Sequence, residues 1–352
     1  MSLKTDKPHT YLIGEIGQNH NGSVDLAKLL IDKAAQPVKD ELFNMVLKPW
    51  DAVKLTKRDL SEELSASAMA KPYESPHSFG KTYGEHRAKL ELNDEQHFEL
   101  YQYAKERGLD FVETLCAIGC LSMLKLFTPD RLKVASRDLT NLPLLNAMAE
   151  TKIPMVISTG MGGLEEIDAA LAVITKHHDQ VTILHCLSQY PSEYKNINLN
   201  SIHYLKERYK GFEIGYSDHS IGIAIPLAAV AMGATTIEKH ITLDRNMKGT
   251  DQAGSLAPDG MHRMVRDIRN MEMAFGEMKK ERSVAVESAK VKLERSIATK
   301  RGMKKGQVIT EGDVHLLSPG DGFLWAKKEQ LIGKVLKENI PADEIIYQSM
   351  IQ

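Results

Sequence analysis

The sequence predicts an α/β protein, a (β/α)8 TIM barrel followed by a small, mostly β domain. Three observations carry this. Short β-branched or apolar runs recur, each followed by turn residues and a stretch of helical apolar spacing, and eight such units fill about 270 residues. Polar side chains gather where these runs end, as they do at the carboxyl face of a closed parallel barrel. After Gly276 the alternation gives way to a charged stretch and then to short runs broken by Gly and Pro. A six-unit doubly wound sheet is the structural alternative, and the lack of a GxGxxG after the first run counts against it.

The strand runs, in order, are YLIGEI (11–16), AVKLT (52–56), DFVET (110–114), RLKVAS (131–136), PMVIS (154–158), VTILHC (181–186), FEIGYS (212–217) and TTIEKH (235–240). The first intervening helix places Leu26, Ala27, Leu30, Ile31 and Ala34 on one face; the last does so with Met261, Met264, Val265, Ile268, Met271 and Phe275. Residues 57–92, containing KPYESPHSFGKTYGEHR, form a connection too long for a routine turn, which suggests either a function or disorder. The domain division is a barrel over 1–280, a linker over 281–293 and the small domain over 294–352.

The bulk properties exclude several classes. Lys plus Arg number 45 against 47 Asp plus Glu, a formal charge of -2, which gives no reason to expect nucleic acid or an anionic membrane as partner. The start, MSLKTDKPHT, lacks an apolar signal core, and no run approaches the roughly 20 apolar residues that span a bilayer. The expectation is a soluble, cytoplasmic protein. Cys116, Cys120 and Cys186 are odd in number and lie in apolar surroundings, so reduced packing thiols are expected rather than disulfides or a zinc site.

The strand ends bring together a specific chemistry. Glu15 closes the first strand, Lys54 the second, Thr114 the third, Ser136 the fourth and Ser158 the fifth; Ser188 follows the sixth, Ser217 and His219 end the seventh, and Glu238 and His240 the eighth. Alternation puts Ser217 and His219 on one face and Glu238 and His240 on one face of the next strand, so two imidazoles converge. Two histidines with a carboxylate nearby suit a divalent metal with open positions, such as manganese, iron or zinc, acting on a carbonyl. Lys54 and Lys133, with hydroxyls from other strands, suit a phosphate and a carboxylate together. Lys133 and Ser136 differ by an odd number, so both can serve one site only if a bulge or the strand's end intervenes.

The segments GEIGQNHNG, AVKLTKRD, LKVASRDLTNLPLL, PMVISTGM, LHCLSQYPSEYKNINL, IGYSDHSIGIAIPLAAVAMGA, TIEKHITLD and DQAGSLAPD jointly resemble the sialic acid synthase family over nearly the whole chain, and RSIATKRGMKKGQVIT through SPGDGF resembles its antifreeze-like (SAF) domain. The resemblance implies condensation of phosphoenolpyruvate with an N-acylmannosamine-type aldose or its 6-phosphate. It implies a divalent metal, manganese before magnesium, on His219 and His240, and Glu15 in proton transfer. It implies Lys54, Thr114, Lys133, Ser136, Ser188 and Ser217 around phosphoenolpyruvate, and Asp138, Tyr190 and Asp251 at the sugar. It also implies a domain-swapped homodimer. Gln252, Arg137, Thr56 and Ser318 depart from the family's commonest residues, which bears on the acceptor more than on the reaction. Lys81, His86, Arg87 and Lys89 in the long connection then offer cations for an acceptor phosphate, with Arg87 the principal one. Two other classes stand beside this reading: a non-catalytic carbohydrate-binding protein on the same scaffold, which need not keep Glu15, His219 and His240 together, and an aldolase with a Schiff base at Lys133 or Lys54.

Overall fold

Eight parallel strands close into a barrel in the computed structural model, which describes residues 9–352. Most of the amino-terminal segment read for a signal core therefore lies outside the described residues. The strands are β1 (Tyr11–Gly17), β2 (Ala52–Lys57), β3 (Asp110–Leu115), β4 (Arg131–Val134), β5 (Met155–Ser158), β6 (Val181–Cys186), β7 (Glu213–Asp218) and β8 (Thr236–His240). Each pairs with its sequence neighbours, and β1 closes the ring against β8, with Glu15 opposite His240.

The helices follow from amphipathic spacing and side-chain caps. Ser23 accepts from the Leu26 amide at the start of Val24–Ala35, which buries Ala27, Leu30, Ile31 and Ala34 against the strands. The last barrel helix, Pro258–Ala274, buries Met261, Met264, Val265 and Ile268 but ends before Phe275, which is exposed rather than packed. One crossover differs from the expected alternation. Between β3 and β4 the chain makes a 3-10 helix, Ile118–Lys125, because Gly119 and Pro129 leave no long helical run between them.

The long connection after β2 is not irregular. It folds as Leu60–Glu63, Ala66–Ala70 and Tyr83–Leu90, capped by Asp59, Ser65 and a Thr82–Glu85 capping box. His86 is buried there among Tyr73, Phe79 and Tyr83. A hairpin of Val38–Asp40 and Met45–Leu47, absent from the expected element list, precedes β2.

The chain divides after Gly276, and the unit Glu277–Gln352 has its own apolar core of Ile297, Ile309, Leu331, Ile340 and Ile346. An antiparallel pair, Ser296–Thr299 with Val314–Leu317, anchors it. The segment 281–293 read as a linker carries the helix Glu287–Leu293 and belongs to this unit: the Gly320 amide donates to the Val291 carbonyl at 2.8 Å, and Ser318 donates to the Leu293 carbonyl at 3.0 Å. Among the described residues no helix is long and apolar enough to cross a membrane.

Candidate active site

The carboxyl ends of the strands surround a cavity of about 330 Å3. Glu15, Lys54, Thr114, Lys133, Ser136, Ser188, Ser217, His219 and His240 all line it, as do Tyr190, Asp251 and Arg87. The parity conflict between Lys133 and Ser136 resolves simply: β4 stops at Val134, and Ser136–Asp138 turn as a 3-10 element that swings the hydroxyl back to the cavity.

Four buried charges form its floor. Lys54 pairs with Glu15 and donates to Thr114 Oγ1 at 2.9 Å, while Lys133 lies 3.4 Å from Glu238 and Lys54 lies 3.8 Å from that same carboxylate. Ser217 donates to Glu238 at 3.0 Å. Burial alone would raise the Glu238 carboxyl, but Lys133 and Lys54 outweigh it and hold it below its ordinary value. Burial lowers Lys133, and the neighbouring Lys54 adds to the effect against the opposing pull of Glu238. Burial also opposes the charge on Lys54, yet Glu15 and Glu238 raise it overall. Two lysines face two carboxylates here, and both lysines are buried and held in place by these pairs. Glu238 lines the cavity beside His240, as their shared strand face predicts, but no role among the ligand contacts is expected for it from the sequence.

The two imidazoles meet at the ends of β7 and β8. Their ring centroids are 5.6 Å apart, and Tyr190 stands 4.0 Å from the His219 ring and 6.1 Å from that of His240. His219 Nδ1 lies 2.8 Å from the Leu187 carbonyl, which can only accept, so Nδ1 carries the proton and Nε2 keeps its lone pair. Burial, reinforced by His240, lowers its pKa to about 4 and keeps the ring neutral near pH 7. His240 Nδ1 is buried without a hydrogen-bond partner. The free Nε2 of His219 and the unpartnered Nδ1-bearing ring of His240, side by side, fit a divalent cation. No group of three or more His, Cys, Asp and Glu side chains is arranged for a metal among the described residues, so water and substrate would complete its coordination.

A third cluster lies at the rim. Arg87, Arg58 and Arg137 converge on Glu63 at 2.8, 3.7 and 2.6 Å, and all three arginines line the cavity. Arg58 also pairs with Glu91, and Arg137 with Asp138. Asp138, expected at the sugar, is not among the cavity-lining residues: the chain turns at Ser136, and Arg137, which pairs with Asp138, lines the cavity instead. The cations of the long connection separate in the same way. Lys81 and Lys89 are exposed and His86 packs among aromatic rings, leaving Arg87 alone of the four at the cavity. Ser318 lies in the other unit, exposed and bonded to Leu293.

Sequence patterns decide the family at this point. The NeuB family pattern matches residues 48–280, and the SAF domain pattern matches residues 294–352. The chain belongs to the NeuB family. It is 34% identical to N,N'-diacetyllegionaminic acid synthase of Campylobacter jejuni, over 96% of this chain and 98% of that protein. It is 32% identical to human N-acetylneuraminate-9-phosphate synthase, over 97% of this chain and 92% of that one. The crystal structure of N-acetylneuraminic acid synthetase from Leptospira borgpetersenii superposes with a TM-score of 0.67 at 30% identity, covering 82% of this chain and 94% of that chain.

In this NeuB family chain the motif GEIGQNHNG divides its labour. Glu15 and Gln18 face the cavity. Asn19 donates to the Ile241 carbonyl at 2.8 Å and to Ser255 at 2.9 Å, and Asn21 donates to the Lys248 carbonyl at 3.0 Å, so these side chains tie the β1 loop to the β8 loop. His20 is buried and accepts from the Gly22 amide at 3.0 Å. Gln252 is buried at the same seam, bonded to Thr242 and the Asn19 carbonyl. Cys116 and Cys186 are free and buried, as expected, but both border the cavity.

Proposed function

We propose that the protein is a nonulosonic acid synthase that joins phosphoenolpyruvate to an aldose of the N-acylmannosamine type or its 6-phosphate, releasing phosphate by C–O cleavage. The observation that carries this reading is the joint presence, in one cavity, of the buried Lys54–Glu15 and Lys133–Glu238 pairs and the His219–His240 pair. A purely carbohydrate-binding surface has no need of four desolvated charges.

Lys54 and Lys133, with the hydroxyls of Thr114, Ser136, Ser188 and Ser217, supply donors for the carboxylate and phosphate of phosphoenolpyruvate. His219 and His240 would hold a divalent cation, manganese before magnesium, which supplies Lewis-acid polarisation of the acceptor's aldehyde. C3 of phosphoenolpyruvate forms the new carbon–carbon bond to the aldehyde carbon, whose oxygen ends as a hydroxyl. Water adds its oxygen at C2 while Glu15 takes its proton. Collapse at C2 to the ketone breaks the C2–O bond, and phosphate departs with the bridging oxygen. Tyr190 and Asp251 bound the acceptor's side, and Arg87, with Arg58 and Arg137, faces its far end, where a 6-phosphate would find guanidinium donors.

A separate apolar core in Glu277–Gln352 supports that unit docking as a body on a partner's barrel, in a domain-swapped homodimer. The test is phosphate release from phosphoenolpyruvate with mannose, N-acetylmannosamine, their 6-phosphates and 2,4-diacetamido sugars, before and after chelation and manganese replacement. Release that requires an acceptor, stops with chelator and returns with manganese is expected. Full turnover in metal-free buffer, or borohydride trapping of substrate on Lys133, would overturn the reading in favour of a Schiff-base aldolase.

A further inference from the structure

We propose that Lys239 and Asp218 are positioning residues whose buried ion pair, clamped across β7 and β8, fixes the placement of His219 relative to His240. This rests on the reading of that imidazole pair as a divalent-metal site. Asp218 and Lys239 are direct register partners on adjacent strands, and their side chains are wholly buried. Alternation sends them to the face opposite Ser217, Glu238 and the two histidines. Each precedes a histidine by one residue.

The contacts lock both sides of His219 to the strand bearing His240. Asp218 accepts from Tyr216 Oη at 2.9 Å, from the Ser220 amide at 3.0 Å and from Ser220 Oγ at 3.0 Å, and it receives the Lys239 ammonium at 2.5 Å. Lys239 also donates to the Ser220 carbonyl. The residues before and after His219 are thus both bonded to the residue before His240. A fully desolvated ion pair contributes little net stability compared with a well-packed apolar pair. Its value here is geometric: hydrogen-bonded charges fix a register and a distance that apolar contacts leave adjustable.

The experiment uses the full-length protein. Mn2+ affinity is titrated calorimetrically, the Co2+ visible spectrum is recorded, and phosphoenolpyruvate affinity and melting temperature are measured alongside. Lys239→Met should weaken Mn2+ binding about ten-fold or more and shift the Co2+ band, with metal-free phosphoenolpyruvate affinity held within about two-fold. Tyr216→Phe and Ser220→Ala, which each remove a donor to Asp218 and preserve the charge pair, should weaken Mn2+ by about three-fold. A folded Lys239→Met protein with unaltered Mn2+ affinity and Co2+ spectrum would overturn the positioning role. If that variant does not fold, unaltered Mn2+ binding by Tyr216→Phe and Ser220→Ala overturns it instead. Failure of the unmodified protein to bind Mn2+ would overturn the metal reading, and this role with it.

Discussion

Replacing Gly160 with alanine tests the proposed placement of phosphoenolpyruvate in the cavity with one added carbon. Gly160 follows β5, and its amide donates to Ser136 Oγ at 3.0 Å while its carbonyl accepts from the Ser188 amide at 3.4 Å. A Cβ built there lies 2.5 Å from Ser188 Oγ and 2.9 Å from both Ser136 Oγ and Cys186 Sγ. Since ordinary contact begins at 3.4 Å, the Ser188 hydroxyl must withdraw by roughly 0.9 Å or rotate away. Loss of one hydroxyl donor to a charged ligand is worth about 2 kcal/mol, roughly a 30-fold rise in KM for phosphoenolpyruvate. Steady-state phosphate release with phosphoenolpyruvate varied, paired with a melting curve, provides the assay. Ser188→Ala in the Gly160→Ala background should add little, because both changes remove the same donor. A folded Gly160→Ala enzyme with KM for phosphoenolpyruvate within about two-fold of the parent would refute the reasoning and move the phosphate elsewhere in the cavity.

Further outcomes follow from other parts of the structure. Glu15→Gln should lower kcat by about 10² or more with little change in phosphoenolpyruvate affinity, and an unchanged kcat would leave Glu15 only its pairing with Lys54. Arg87→Ala should reduce any preference for a 6-phosphorylated acceptor by about ten-fold, measured as a ratio of kcat/KM values, while sparing phosphoenolpyruvate. Burial lowers His20 to about 3, so between pH 6.5 and 3 the unfolded chain binds a proton that the folded chain refuses. Stability should therefore fall with decreasing pH across that window, His20 contributing about 1.4 kcal/mol per pH unit, and His20→Gln should remove that part of the slope in urea titrations.

The barrel was legible because each strand is a compact apolar run and each closing polar residue sits at a predictable end. Boundaries slipped where side-chain chemistry, rather than hydrophobicity, stops the strand. RLKVAS reads as one run, yet Ala135 leaves the sheet and Ser136 begins a turn. The hairpin at 38–47 leaves no legible pattern because its strands have only three residues each. Within the site, alternation places Ser217 and His219, and Glu238 and His240, on the inner face, but it does not reveal that Glu238 pairs with Lys133 and Lys54. Asp138 and the cations of the long connection were harder. Their orientation depends on which way a turn or a short helix rolls, and that is set by packing of His86 among rings and of Arg87 against Glu63, contacts distant from any local pattern.

The seam between β1 and β8 makes the cavity a late arrival in the life of each molecule. Glu15 and His240 are opposite one another in the closed ring, although the whole of the barrel's other six strands separates them in the chain. During synthesis, therefore, the Glu15 carboxylate emerges first and has no β8 wall beside it until the last strand is made and docks. Asn19 and Asn21 then fasten the closure by bonds to residues 241–255, which emerge later still. A barrel lacking β8 has only part of the pocket's wall, so any ligand that bridges β1 and β8 is in effect a gauge of completed closure.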